Sequence, residues 1–183
     1  DIELVKRLGC NMLRKHVKVE PARYYTHCDR IGLIVWQDLP NGGRPANEML
    51  FFLLDRLGIR VRDHHYRGAG REDVQSRQDL KRELQEMVEA LYNFPCIGMW
   101  VPFNEAWGQF DARSMAAWLK SLDPTRPVDH ASGWFDQGGG DCDSLHVYFR
   151  KLKPKKAKRR AVVLSAPKVH LWIWYVPPVC LPY

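Results

Sequence analysis

The sequence predicts an α/β fold with parallel strands, the greater part of a β/α barrel, on three observations. Short apolar runs alternate with stretches whose apolar residues recur at helical spacing, the pattern of a parallel sheet with right-handed crossovers. Polar residues collect at the end of one apolar run after another, which is where a β/α barrel carries its catalytic groups. The third observation is length. A chain of 183 residues buries a sizeable core, yet a complete barrel takes about 250, so either the fold is smaller or the barrel is incomplete.

Ile2, Val5 and Leu8 share a helical face and Gly9 stands where a C-cap would, so the chain opens on the last turns of a helix. Residues 10–17 read as a strand. Pro21 suits the first position of a helix whose Tyr24, Cys28 and Ile31 lie on one face and which Gly32 ends. Residues 33–36 form a continuous apolar run, as in a strand covered on both faces, stopping at Gln37 and Asp38. From 41 to 78 the pattern is irregular, with Gly42, Gly43, Pro45, Gly58, Gly68 and Gly70 around a brief apolar stretch at 49–54. A connection that long inside a compact domain is usually functional.

Leu80, Leu84, Met87, Val88 and Leu91 mark a helix that Asn93, Phe94 and Pro95 terminate, and residues 97–101 are the next strand. Asp111 is placed to cap a helix carrying Met115, Trp118, Leu119 and Leu122. After the turn at 123–127, strands are expected at 128–131, 145–148 and 161–165. The strand ends then carry Arg14 and His16, Asp38, Asn104 and Glu105, Ser132 and Trp134, and His146 and Tyr148.

Three stretches carry a family resemblance: Asn11-Met-Leu-Arg-Lys-His16, Cys28-Asp-Arg-Ile-Gly-Leu-Ile-Val-Trp-Gln-Asp38 and Trp100-Val-Pro-Phe-Asn-Glu-Ala-Trp-Gly108. Shorter ones follow at Asp123-Pro-Thr-Arg126, Ala131-Ser-Gly-Trp134 and His146-Val-Tyr148. In this order, over residues 1–165, they resemble the barrel domain of glycoside hydrolase family 2, which includes β-galactosidases, β-glucuronidases and β-mannosidases. The resemblance implies a (β/α)8 TIM barrel represented by roughly strands two to seven. It also implies hydrolysis of β-linked O-glycosides with retention; no cofactor and no metal are expected.

Glu105 matches the family's general acid/base, and Asn104 the residue that binds the hydroxyl next to the anomeric carbon. A glycosidic oxygen leaves poorly unless protonated, so the donor has to be a carboxylic acid held neutral at the working pH. Arg14, His16 and Asp38 match positions lining the sugar site, and Tyr148 a tyrosine that steadies the nucleophile; His146, polar at a strand end, is a further substrate-binding candidate, and a structural role is the alternative for each. Trp107 and Trp134 offer faces to a sugar ring, with core packing as the alternative.

A retaining glycosidase needs a second carboxylate about 5–5.5 Å from the first. The family's nucleophilic glutamate ends the seventh strand, which puts its expected place just after Ser165, where Ala166 and Pro167 stand instead. No Asp or Glu follows Asp143. Residues 1–165 are therefore read as a partial barrel and 166–183 as a divergent tail, in which the reading frame departs from the ancestral one. The chain is expected to be inactive as it stands, with a non-catalytic carbohydrate-binding remnant as the other reading.

Composition narrows the partners. The net charge of +7 is concentrated: residues 150–160 hold eight of the 28 Lys and Arg residues and no acid, leaving 20 basic against 21 acidic elsewhere. That segment has a single pattern, basic without an aromatic to stack on a base, so a solvated connection is expected rather than a nucleic-acid site. No stretch approaches 18 apolar residues, so no membrane partner is expected. The five cysteines are scattered, with no C-x-x-C pair, and are read as thiols rather than zinc ligands. Asp141-Cys-Asp143 is read as turn chemistry rather than a metal site, and His64-His65 as surface.

Overall fold

The computed structural model describes residues 1–40, 42, 48–59, 61–146 and 161–165. Five helices and five strands occur among them, in the order α1 (Ile2–Arg7), β1 (Met12–Lys15), α2 (Ala22–Ile31), β2 (Ile34–Asp38), α3 (Glu48–Arg56), α4 (Val74–Leu91), β3 (Ile97–Val101), α5 (Ala112–Leu122), β4 (Cys142–His146) and β5 (Ala161–Ser165). β1, β2 and β3 form one parallel sheet in that order, and β4 and β5 a second parallel pair. Between the two runs a segment that never becomes a regular strand. Trp100 bridges Val128 and Asn104 bridges Ser132, both in parallel, while the Asp141 amide donates to the Val128 carbonyl at 2.9 Å. The described strands thus follow one another as in a barrel wall without closing it.

Each sheet face is covered. Outward, Val35, Ile97, Trp100 and Val128 join Tyr25 and Cys28 of α2, the five buried apolar residues of α4, and Ala112, Met115, Ala116 and Leu119 of α5 in one cluster. On the other face Met99 and Val101 of β3 meet Cys142 of β4 and Val163 of β5, with Trp36 against them. Burial on both sides explains why β3 reads as an unbroken apolar run, whereas Ile34 of β2 is 45% exposed. β3 comes so close to β2 that a Cβ on Gly98 would lie 2.5 Å from Cγ2 of Ile34.

A polar clamp fixes the ends of these elements. Asp123 accepts from the Trp100 indole at 2.9 Å and from Arg126 Nη1 at 2.7 Å. Arg126 also donates to the carbonyls of Ile97 and Tyr92, each at 2.8 Å. The residues between Asp123 and Arg126 therefore tie the end of α5 to the end of α4 and the start of β3. Burial pushes the Asp123 carboxyl up, but the hydrogen bonds from Thr125, Arg126 and Trp100 outweigh it and hold it well below the usual carboxylate range.

Five expectations are corrected. The apolar stretch at 49–54 is the body of helix α3, and α4 begins at Val74, where Asp73 accepts from the Gln75 amide. Residues 128–131 make bridges, not a strand. β4 spans 142–146 rather than 145–148, so Asp143 lies in a strand, while Asp141 accepts from the Val128 amide. Finally, Asp111 precedes α5 at φ 42° without capping it through its side chain. The cap comes from far away in sequence: Asp63 Oδ2 accepts from the Ala112 amide at 2.8 Å, and Asp111 takes the Tyr66 hydroxyl at 2.9 Å.

Cys28, Cys96 and Cys142 are buried thiols and Cys10 is partly buried. Burial pushes the Cys28 thiol up to about 11, which suits packing rather than nucleophilic use. Among the described residues no helix is long and apolar enough to cross a membrane.

Candidate active site

At the end of β1, Arg14 turns its guanidinium across the sheet. Its Nε donates to Asp38 Oδ1 at 2.8 Å and its Nη2 to Asp38 Oδ2 at 2.9 Å. The same Nη2 reaches Asn104 Oδ1 at 2.8 Å, and Nη1 lies 3.1 Å from His146 Nε2. Side chains from β1, β2, β4 and the end of β3 thereby meet on one cation. Burial works against the Arg14 charge, yet Asp38 more than compensates and holds the guanidinium charged beyond its ordinary value. The Val17 amide adds a third donor to Asp38, at 3.2 Å.

Asn104 is 1% exposed. With Oδ1 taken by Arg14, its Nδ2 is buried and has no hydrogen-bond partner among the described residues. Burying a donor in this way costs about 1–3 kcal/mol, so the amide is a place where a ligand oxygen would be welcomed. Glu105 and Ala106 follow at φ 47° and 65°. Two successive left-handed residues outside glycine are strained, and hydrogen bonds hold them: the Glu105 amide donates to the Ser132 carbonyl at 2.8 Å and the Trp107 amide to the Asn104 carbonyl at 2.9 Å. This turn swings the Glu105 side chain to His146, whose Nδ1 lies 2.7 Å from Oε1.

His146 is held from its other side too, since Ser132 Oγ is 3.2 Å from Nε2. Ser132 Oγ is 3.3 Å from Ser144 Oγ, which accepts from the Gly133 amide at 3.0 Å. Gly133 is at φ 93°, and a Cβ there would fall 2.5 Å from Cγ and Nδ1 of His146. The glycine is what lets the imidazole lie against the backbone.

Of the residues singled out by sequence, Arg14, Asp38, Asn104, Glu105 and His146 form this one network. His16 sits beside it; burial pushes its imidazole down, against an opposing pull from Asp38. Trp134 is 7% exposed and packs among Phe51, Ala106 and Phe135, with Phe52 tilted against it, which favours packing over presenting a sugar face. Trp107, at 36% exposure, keeps a free face. Tyr148, residues 150–160 and residues 166–183 lie outside the described residues. The register that pairs His146 with Ser165 brings β5 to its end level with the imidazole.

Sequence reasoning missed Ser144, Gly133 and Asp129. Asp129 is 1% exposed, and neither carboxylate oxygen has a hydrogen-bond partner among the described residues. Ser144 stands two residues before His146 and so on the same strand face. Reading the strand from Cys142 would have found it.

The family profile described as glycosyl hydrolases family 2, TIM barrel domain, matches residues 1–155. A β-galactosidase of Klebsiella pneumoniae is 26% identical over 141 residues, 77% of this chain and 12% of that protein. A β-glucuronidase of Bacteroides fragilis is 28% identical over 138 residues, 72% of this chain and 17% of that protein. The chain thus spans less than a fifth of these relatives. Among solved structures, a β-D-glucuronidase of Dictyoglomus thermophilum superposes with a TM-score of 0.58 at 17% identity, over 81% of this chain and 25% of that one. A β-galacturonidase of Eisenbergiella tayi does so at 0.57 and 20%, over 80% and 24%. At such identities the likeness shows the fold.

Proposed function

Since the chain belongs to glycosyl hydrolase family 2 through its TIM barrel domain, we propose that it carries the acid/base half of a retaining β-glycosidase site. Glu105 protonates the departing glycosidic oxygen and later takes a proton from water. Asn104 Nδ2 donates to the hydroxyl beside the anomeric carbon, and Trp107 lines the sugar. The observation that carries this reading is the pairing of a strand-end carboxyl, oriented by His146, with a buried amide donor that has no partner among the described residues. The substrate class is a β-linked glycoside.

Ala166 stands where the second carboxylate is expected, and this favours one further reading, that the chain binds sugars without turning them over. Aryl β-glycosides with added azide separate the two. Azide enters the anomeric carbon from the face opposite the leaving group, the bond to the aglycone oxygen breaks, and that oxygen takes the Glu105 proton, so an α-glycosyl azide is expected. Glu105→Gln should abolish this product for poorly leaving aglycones. Equal azide product from the variant would overturn the assignment of Glu105. Saturable monosaccharide binding with no azide product would leave the binding role.

A further inference from the structure

The imidazole of His146 is held at both ring nitrogens, and its surroundings decide where its proton stands. Nε2 faces Arg14 Nη1 at 3.1 Å and Ser132 Oγ at 3.2 Å. A guanidinium has donors and no acceptor, so Nε2 has to offer a lone pair. The serine follows suit. The Gly133 amide donates to Ser144 Oγ at 3.0 Å, so the Ser144 hydrogen can serve Ser132 Oγ at 3.3 Å and the Ser132 hydrogen His146. That order of donors is compatible with the acceptor role that Arg14 imposes on Nε2. A ring whose Nε2 accepts carries its proton on Nδ1, and Nδ1 is 2.7 Å from Glu105 Oε1.

We propose that His146, locked with its ring proton on Nδ1 by Arg14 and Ser132, is a positioning residue that occupies Oε1 of Glu105 and confines that carboxyl's transferable proton to Oε2. This rests on the reading of Glu105 as acid/base and adds to it a choice of oxygen. A carboxyl free to protonate at either oxygen would spend part of its time with the proton turned into the protein, whereas here Oε1 already accepts. A proton on Nε2 would aim one donor at another, so Arg14 keeps the tautomer as well as the geometry. Among the described groups whose charge reaches the site are Asp38 of β2, bound to Arg14, Asp129 of the 128–132 segment and His16 beyond β1. The acid/base carboxyl is thus given a directional partner held by β1, the 128–132 segment and β4.

The tautomer can be read without turnover. Long-range ¹H–¹⁵N spectra of the chain labelled with ¹⁵N-histidine should show His146 protonated on Nδ1 and unprotonated on Nε2. Ser132→Ala identifies the resonance, since it alone loses a donor to Nε2. A His146 ring protonated on Nε2 overturns the proposal whatever Glu105 does.

Two variants separate the edges of the ring in the azide reaction. The amide nitrogen of His146→Asn stands where Nδ1 stands and can still donate to Glu105, while the amide of His146→Gln stands where Nε2 stands and faces Arg14. The basic limb of the pH profile should stay in place for His146→Asn and rise by about one pH unit for His146→Gln. Equal shifts in both, or none in either, would also overturn it. If neither variant folds, the spectrum of the unsubstituted chain decides. Azide product from Glu105→Gln equal to the parent's would instead sink the acid/base reading while leaving the tautomer result standing.

Discussion

Arg14 on β1 grips Asp38 on β2 with two parallel hydrogen bonds, of 2.8 and 2.9 Å, and the side chains are only 5% and 1% exposed. Removing one partner of such a buried pair leaves an uncompensated charge and costs about 3–5 kcal/mol. Asp38→Ala should therefore lower the urea midpoint severely or unfold the chain. The double replacement Arg14→Met with Asp38→Leu should cost less than Asp38→Ala alone, because no orphan cation remains. A double variant as unstable as the sum of the two singles would refute this.

Acid should act through Asp123. Its carboxyl is held below the usual value in the folded chain, so the stability it lends is full above the ordinary aspartate pKa of about 4 and is lost as pH falls below that. Asp123→Asn should be less stable than the parent at neutral pH and less sensitive to pH below about 4. Urea midpoints measured from pH 6 downward would show the two curves converging; parallel curves would contradict the clamp.

Gly133→Ala should disturb the site more than its size suggests. The residue sits at φ 93° and its Cβ would fall 2.5 Å from the His146 ring. A left-handed alanine alone costs about 1 kcal/mol or more, and the collision displaces the imidazole from Glu105. Thermal unfolding should show the loss, and the His146 nitrogen signals should move. Unchanged signals would mean that the ring does not lie against the backbone.

The two tryptophans should part company. Trp134→Ala opens a hole among Phe51, Ala106 and Phe135, for about 3–5 kcal/mol. Trp107→Ala, with its exposed face, should change stability by no more than about 0.5 kcal/mol while weakening monosaccharide binding by about tenfold, the worth of one aromatic face. Calorimetric binding and urea unfolding of both variants would distinguish them.

The sequence pattern located β3 to the residue, because burial on both faces leaves an unbroken apolar run at residues 97–101, and placed the start of β2 within one residue. It failed at β4, whose inner face is Cys142, Ser144 and His146: a strand that points polar groups into a site carries no apolar alternation to detect. It also failed at α3, where the glycines of the connection masked the spacing of Phe51 and Leu54. The site was legible as a set, since Arg14, Asp38, Asn104, Glu105 and His146 all stand at strand ends. Their wiring was not. That His146 meets Glu105 depends on a turn with two left-handed residues, and Ser144 looks like any other serine until the register places it in line with Ser132.

The Asp63 carboxylate gives the long connection between β2 and α4 an uneven tolerance of insertion and deletion. From Asp63, which caps α5, to Arg71, which donates to the Gly108 carbonyl, the connection is stitched to the turn bearing Glu105. A residue gained or lost there would pull both stitches out of register. Among the described residues before Asp63 no hydrogen bond to α5 is found, so homologues should differ in size on the near side of this aspartate and agree on the far side.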